Sequence, residues 1–322
     1  MSTTRSGERP MHAQAEVGLP GGDRVRVALH GAHALSWVSR GRERLYLSPC
    51  ATLDGSAPIR GGVPVCFPQF NQRGPLAERL PKHGMVRNLP WAVVSAPTVA
   101  ERWPGLVVEL PADVAEADVR HVHLALDSNP GTQTVWPHAF AALLTVSLWS
   151  GSLQVTLHVR NTGTDAWAFT GALHTYLAVD DIDRVALSGL GGQPEWDALA
   201  DTHATAAPAL RFAAPVRDET DLGFDRVYTR PEAVGQPAPL WLQDGPRSLR
   251  IDHSPGWPDV VVWNPGVRHS AAMNDLPDDG WRHMLCVEAA RVYQPHTVSP
   301  GAVWQGWQRL TVHDAAPPVA HF

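Results

Sequence analysis

The sequence predicts an all-β protein, built as one large antiparallel β-sandwich. Regular segments alternate apolar and polar residues with a period of two, turn-forming dipeptides separate them, and no helical pattern is longer than about three turns. The 27 glycines and 29 prolines suit a chain with many tight turns. Because no repeat of roughly 20 to 50 residues is visible, propellers and solenoids are disfavoured.

The predicted strands are runs of about four to eight residues, rich in valine, leucine, threonine and tryptophan. They cover residues 24–29, 106–110, 121–126, 142–149, 153–159, 260–263 and 284–287. Apolar residues alternate on both sides of Ser150-Gly151, so we expect residues 143–159 to form a hairpin around this dipeptide.

Turn signals recur from residue 20 onward without a long linker or a low-complexity break. Since hydrophobic residues make up 44% of the chain and charged residues 18%, there is enough apolar material for a core. We therefore expect one sandwich domain over residues 20–322. Residues 1–19 are expected to form a disordered tail.

Composition excludes several classes of function. The net charge of −6 argues against a protein that binds nucleic acid or an anionic membrane. No signal peptide and no apolar run of about 18 residues is present, so we expect a cytoplasmic protein. Three scattered cysteines are too few for a disulfide framework or a thiolate metal site.

Two loop-like segments, residues 58–70 and 80–91, interrupt the strand pattern with paired glycines and prolines. Such irregular backbone often positions functional side chains. Arg60, Lys82, His83 and Arg87 place up to four cations there, and Lys82 is the only lysine in the chain. The cluster predicts an anion pocket. The alternative is a set of solvated charges on ordinary turns.

A histidine and a glutamate interrupt two other apolar segments. His174 lies in the predicted strand 169–179, on the same face as Tyr176, and Glu288 follows four apolar residues. A buried carboxylate must be paired, neutral or functional, because an isolated buried charge is costly. A satisfied core histidine remains the alternative for His174. Together with the anion pocket, the two residues suggest cofactor-free acid–base chemistry on an anionic small molecule.

Other motifs are weaker. Asp225 adds a further carboxylate, but its neighbour Arg226 suggests a solvated pair. His121 and His123 have the spacing of metal ligands on one strand face, although no glutamate follows at short range and 16 histidines make a chance pair plausible. No phosphate-binding glycine loop and no serine-hydrolase motif is present. We therefore expect no metal and no cofactor.

Read together, these segments resemble the hexose-6-phosphate mutarotase branch of the aldose 1-epimerase superfamily over roughly residues 20–312. The resemblance rests on the order and spacing of five motifs, namely residues 60–68, 80–88, 172–176, 263–265 and 286–290. It implies the single large sandwich of the galactose mutarotase-like fold. It also implies a monomer that interconverts the α and β anomers of a hexose 6-phosphate, with glucose 6-phosphate as the first candidate.

The resemblance also assigns roles to individual residues. It implies that His174 is the general acid, that Glu288 is the general base and that Asp225 binds sugar hydroxyls. The residues that would hold the substrate, the arginines chiefly its phosphate, are Arg60, Lys82 and Arg87, with His83 in the same pocket.

Two departures from the family pattern stand out. Lys82 occupies a position where the family usually has glutamine, and Gly266 follows Pro265 where the family often has an aromatic residue. Two other readings stay open: a non-catalytic protein that binds sugar phosphates on the same fold, and an epimerase of an unphosphorylated aldose.

Overall fold

The computed structural model describes residues 13–72, 79–214, 216–230 and 237–313. In these ranges the chain forms twenty-one β-strands and three short α-helices. The strands are β1 Gln14–Gly18, β2 Arg24–Ala28, β3 His33–Ser39, β4 Arg42–Glu43, β5 Val65–Cys66, β6 Ala92–Val94, β7 Arg120–Asp127, β8 Phe140–Trp149, β9 Ser152–Asn161, β10 Trp167–Leu173, β11 Tyr176–Ala178, β12 Val185–Ser188, β13 Pro194–Asp197, β14 Thr202–Thr205, β15 Ala209–Arg211, β16 Phe224–Thr229, β17 Leu240–Asp244, β18 Arg247–His253, β19 Asp259–Asn264, β20 Met284–Val298 and β21 Val303–His313. The helices are α1 Ala96–Arg102, α2 Pro130–Val135 and α3 Gly266–Ala271.

Three antiparallel sheets organise these strands. A four-stranded sheet has the order β1-β2-β3-β4, and a nine-stranded sheet has the order β15-β12-β17-β18-β21-β9-β8-β7-β6. An eight-stranded sheet has the order β14-β13-β16-β19-β20-β10-β5, with β11 also paired to β20. The inner faces of the two large sheets meet in one hydrophobic core, which confirms the predicted sandwich. Of the described helices, none is both long and apolar enough to cross a membrane.

Alternation along the strands determines which side chains enter this core. On β20, Leu285 and Val287 are buried in the core, whereas Cys286 and Glu288 point to the other face of the eight-stranded sheet. The long hairpin of β8 and β9 turns at Ser150-Gly151, as predicted, since Trp149 pairs with Ser152.

Two sequence predictions need correction. Residues 106–110 form no strand, although they alternate; this segment follows helix α1 and its side chains are half-buried or exposed. Residues 14–18, placed in the predicted tail, form β1 and pair with β2. There the half-buried Val17 packs against the main core, so the ordered β structure starts before residue 20. Residues 1–12 lie outside the described residues.

Candidate active site

The break between β10 and β11 places His174 opposite Glu288. Leu173 pairs with Ala289 and Tyr176 pairs with Cys286, so both strands keep the same register against β20. His174 and Thr175 in between are not in a strand, which corrects the prediction of one continuous strand over 169–179. The His174 amide instead donates to the carbonyl of Pro64, at 2.9 Å. The histidine thus turns towards the predicted loop 58–70 while it stays opposite Glu288.

The two side chains form a close buried pair. His174 Nε2 lies 3.4 Å from Glu288 Oε1, and the residues are 8% and 1% exposed. At this distance a proton can be shared or passed between them with a small approach. Acid–base catalysis needs both groups within hydrogen-bond reach of the substrate, and His174 and Glu288 both line the same cavity.

Burial favours the uncharged forms of both groups. It raises the pKa of Glu288 well above its usual 4.5, with the nearby Asp225 adding to the increase and Lys82 opposing it. It lowers the pKa of His174 well below its usual 6.5, and the charges of Arg87 and Arg60 lower it further. Both shifts favour the arrangement in which Glu288 holds the proton of the pair and His174 is neutral.

Aromatic rings fix the orientation of His174. Tyr176 stacks on its imidazole at 4.9 Å with an angle of 12° between the planes, as its place on the same face predicted. His83 meets the imidazole edge-on at 5.3 Å, and Trp263 does so at 6.1 Å. The imidazole is thus held on three sides.

Arg60 supports this arrangement from the neighbouring loop. Its guanidinium donates to the Tyr176 hydroxyl at 3.0 Å and pairs with Asp275 at 3.1 Å. Although burial lowers the pKa of Arg60, the attraction of Tyr176 and Asp275 outweighs it, and the net shift is upward. Arg60 therefore stays charged, and some of its N–H groups are already hydrogen-bonded to Asp275 and Tyr176.

The remaining predicted cations differ in character. Lys82 is exposed, and Arg87 donates to the Lys82 carbonyl at 2.9 Å. Within the described ranges neither side chain forms an ion pair, so both charges are available to an anion. His83 is not a cation, contrary to the count of four: burial, followed by the charges of its neighbours, lowers its pKa far below the usual 6.5.

Asp225 faces the cavity rather than its sequence neighbour. On β16 adjacent residues point to opposite faces, so Arg226 pairs with Asp197 at 2.6 Å while Asp225 points towards Glu288. Burial raises the pKa of Asp225 to about 6, against the opposing charges of Lys82 and Arg226. The solvated Asp–Arg pair considered from sequence does not form.

All seven predicted site residues line one cavity of about 350 Å³ on the outer face of the eight-stranded sheet. Sequence reasoning missed several other residues of its wall, among them Asn71, Trp196, Trp263, His269 and Met273. Of these five residues, only Trp263 has a sequence signal, because it begins the 263–265 motif of the family resemblance. The rest come from separate segments that only the fold brings together.

The structure also explains the glycine after Pro265. Gly266 has a φ of +63°, and a Cβ at this position would lie 2.3 Å from the amide nitrogen of Gly223. Asn264, two residues earlier, donates to the carbonyls of Trp281 and Met284 and so joins the end of β19 to the start of β20. A larger residue at 266 would push this turn away from Gly223.

The metal-ligand geometry near the pair is incomplete. His174, Cys286 and Glu288 place ligand atoms within 4.8 Å of one another. Ligand bonds of about 2.0–2.3 Å give ligand separations near 3.5 Å around tetrahedral zinc, and the 3.4 Å between His174 and Glu288 matches this value. Burial, however, raises the pKa of the Cys286 thiol, which disfavours the thiolate that a metal requires. The other sequence candidate, His121 with His123, hydrogen-bonds Ser147 and Thr145.

Comparison with known proteins identifies the family of this chain. The aldose 1-epimerase family model matches residues 18–311. A relative from Cenchrus ciliaris, named "Putative glucose-6-phosphate 1-epimerase", is 33% identical and covers 88% of this chain and 79% of its own. A relative of the same name from Salmonella typhimurium is 34% identical, over 83% of this chain and 80% of its own.

Solved structures show the same fold. The crystal structure described as a "putative mutarotase" from Salmonella typhimurium has a TM-score of 0.74 and 29% identity, and the match covers 94% of this chain and 90% of the other. The Slr1438 protein from Synechocystis has a TM-score of 0.76 at 18% identity, with 97% and 100% covered, and is similar in fold. This chain therefore belongs to the aldose 1-epimerase family and is an isomerase of the epimerase type.

Proposed function

We propose that this protein interconverts the α and β anomers of a hexose 6-phosphate, with glucose 6-phosphate as the first substrate to test. The observation that carries the proposal is the content of one cavity. The His174–Glu288 pair lines it together with Arg60, Lys82 and Arg87. Two relatives with glucose 6-phosphate in their names support the choice of substrate.

In the proposed reaction Glu288 removes the proton from the C1 hydroxyl while His174 protonates the ring oxygen. The C1–O5 bond breaks, and the open-chain aldehyde rotates about C1–C2. The reversed proton flow then closes the ring on the other face of C1. Protons balance without a metal or a redox cofactor. Ring opening starts with the shared proton on His174 and leaves a neutral His174 and a protonated Glu288. Burial favours the final arrangement, so the reactive starting form is the minor form of the one-proton pair.

The phosphate is proposed to bind at Arg87 and Lys82, whose charges have no carboxylate partner in the described part of the chain. A guanidinium can bind two phosphate oxygens at once, which fixes the sugar as well as attracting it. Arg60, already joined to Asp275 and Tyr176, is better placed to support the wall than to carry the phosphate alone. Asp225 would accept hydrogen bonds from sugar hydroxyls.

The deciding experiment is anomer exchange of glucose 6-phosphate, measured by NMR as a rate above the uncatalysed background. We expect acceleration by the native protein and a loss of about 10²- to 10⁴-fold in kcat in Glu288→Gln, which keeps the shape of the side chain and removes its basicity. An unaccelerated exchange with native protein would exclude the proposed substrate, and an active Glu288→Gln would exclude the proposed base.

A second arm tests the phosphate. Arg87→Ala should raise KM for glucose 6-phosphate at least about tenfold, because a charged hydrogen bond to the substrate is lost. The exposed Arg24 of β2, replaced by alanine, is the matched control for loss of one positive charge. Equal effects of Arg87→Ala on glucose and on glucose 6-phosphate would show that Arg87 does not bind the phosphate.

A further inference from the structure

A small polar cluster lies inside the sandwich, directly behind the proposed acid and base. Thr175, His253 and Gln308 are 1%, 0% and 3% exposed. Alternation places all three among core residues: Thr175 lies between Leu173 and Leu177, and Gln308 is two residues from Leu310. Polar groups at such positions are costly unless they are hydrogen-bonded. The cluster therefore needs a structural or functional reason.

Gln308 is the centre of this cluster. Its amide nitrogen donates to the carbonyl of Val287 at 2.9 Å and to His253 Nε2 at 2.9 Å, and its amide oxygen accepts from the Thr175 hydroxyl. The Val287 carbonyl requires a donor, which fixes the orientation of the amide. Burial lowers the pKa of His253 well below its usual 6.5, so its ring is neutral and can accept.

The partners of Gln308 are the sequence neighbours of both reacting groups. Thr175 follows His174, and Val287 precedes Glu288. The Val287 amide also donates to the Thr175 carbonyl at 3.1 Å, across the break between β10 and β11. One side chain of β21, in the opposite sheet, therefore holds both strand segments from behind, where His174 and Thr175 are in no strand.

We propose that Gln308, with Thr175, is a positioning residue that sets the separation of His174 and Glu288. This inference rests on the acid–base roles proposed above. Neither Gln308 nor Thr175 lines the cavity, so they act through the backbone of their partners. A displacement of about 1 Å at a reacting group can lower a rate by about 10²-fold.

The test compares Gln308→Met and Thr175→Val, which remove the hydrogen bonds at similar volume, with Thr175→Ser, which keeps the hydroxyl. The chain offers a close control in Gln154, a fully buried glutamine of β9. Gln154 also makes three hydrogen bonds, to Glu109, Thr156 and Arg309, but on the outer face of the nine-stranded sheet. Gln154→Met reports the stability cost alone.

We expect Gln308→Met and Thr175→Val to lower kcat about tenfold to 10²-fold with KM changed less than about twofold, and Thr175→Ser to stay near the native value. Gln154→Met should lower the Tm comparably and leave kcat unchanged. An unchanged kcat in Gln308→Met, or an equal fall in Gln154→Met, would overturn the proposal.

A readout without substrate separates this inference from the proposed function. The ring ¹⁵N resonances of His174 should shift in Gln308→Met and Thr175→Val but not in Gln154→Met. If native protein accelerates no hexose phosphate, the proposed function fails, and the His174 resonances still decide the positioning. If the His174 resonances are unchanged in both Gln308→Met and Thr175→Val, the proposed positioning role is wrong.

Discussion

In the proposed mechanism, the proton held by His174 and Glu288 determines the pH range in which the site works. The pair can react only while it carries one proton. A second proton joins only below the lowered pKa of His174, and the last one leaves only above the raised pKa of Glu288. These two pKa values are shifted apart. The bell-shaped pH–rate profile expected from general acid–base catalysis therefore becomes a broad plateau.

We therefore predict that kcat at saturating glucose 6-phosphate is flat between two widely separated limbs. We choose kcat because kcat/KM would also report the second ionisation of the substrate phosphate at about pH 6. The acid limb should lie well below 6.5 and the alkaline limb well above the ordinary carboxyl value. NMR measurements of anomer exchange in buffers of constant ionic strength, each corrected for the uncatalysed rate at the same pH, would show this profile. A narrow optimum centred on about pH 6.5, the ordinary histidine value, would contradict the shifts.

Lys82 gives a second prediction at a single residue. Its charge lowers the pKa of Glu288. Replacing it with glutamine, the usual residue of the family, should raise KM for the phosphorylated sugar severalfold and move the alkaline limb to higher pH. Arg24→Ala serves again as the charge control. If the limb stays in place, Lys82 does not act on the base.

The sequence singles out the proposed acid and base because each is out of place in its own segment. His174 and Glu288 are polar among apolar neighbours, and Arg60 lies beside paired glycines. Sequence reasoning missed Asp275 and Gln308, because their roles depend on partners far along the chain: Asp275 holds Arg60 from 215 positions away, and Gln308 bonds Thr175 across 133. Asp275 and Gln308 lie in ordinary loop and strand sequence, so neither stands out from its neighbours.

At the level of elements, the loop with Lys82 and His83 depends on one close backbone approach. Gly84 has a φ of +72°, and a Cβ there would lie 2.2 Å from the Phe67 carbonyl oxygen. Backbone atoms cannot move aside as a side-chain end would. The loop therefore keeps its place only with glycine at this position.

Gly84→Ala is predicted to destabilise the protein strongly. The left-handed conformation alone costs about 1–2 kcal/mol for alanine, and overpacking adds about 1–3 kcal/mol. Gly41→Ala isolates the first contribution, since Gly41 has a φ of +74° with nothing within 4 Å of its Cβ position. Urea unfolding of both variants gives the difference. Equal free energies of unfolding would show that the loop can retreat from Phe67.

Strand prediction succeeded where alternation coincides with burial, as in β7, β8 and β9. It failed at 106–110, where apolar and polar residues alternate but the segment pairs with no described strand. It also found only the first four residues of β20, which runs to Val298. Beyond Val292 that strand is largely exposed and polar, and its pairing with β10 is interrupted after Arg291 and resumes from His296 to Val298, where the apolar pattern has ended.

On the scale of the whole molecule, one core joins all three sheets. Val25 and Trp37 of the four-stranded sheet belong to the same buried cluster as Leu144 and Val287 of the large sheets. No described sheet can lose its packing without exposing part of the others. The single domain expected from the sequence is consistent with this continuity, and its last residues, 314–322, lie outside the described residues.

We predict that urea unfolds the protein in one transition. Tryptophan fluorescence and far-UV circular dichroism should give the same midpoint, because both report the same core. A separate early transition, carrying the signal of Trp37, would show that the four-stranded sheet is an independent unit. Trp37→Phe is the control that assigns such a signal.

The identical register on both sides of His174-Thr175 limits how this fold can vary by insertion and deletion. One residue added or removed there would reverse every side chain that follows, sending Tyr176 into the core and Leu177 out of it. Loops such as residues 104–118 have no such constraint. In relatives, chain length should therefore vary in those loops, while the two-residue step from histidine to tyrosine stays fixed.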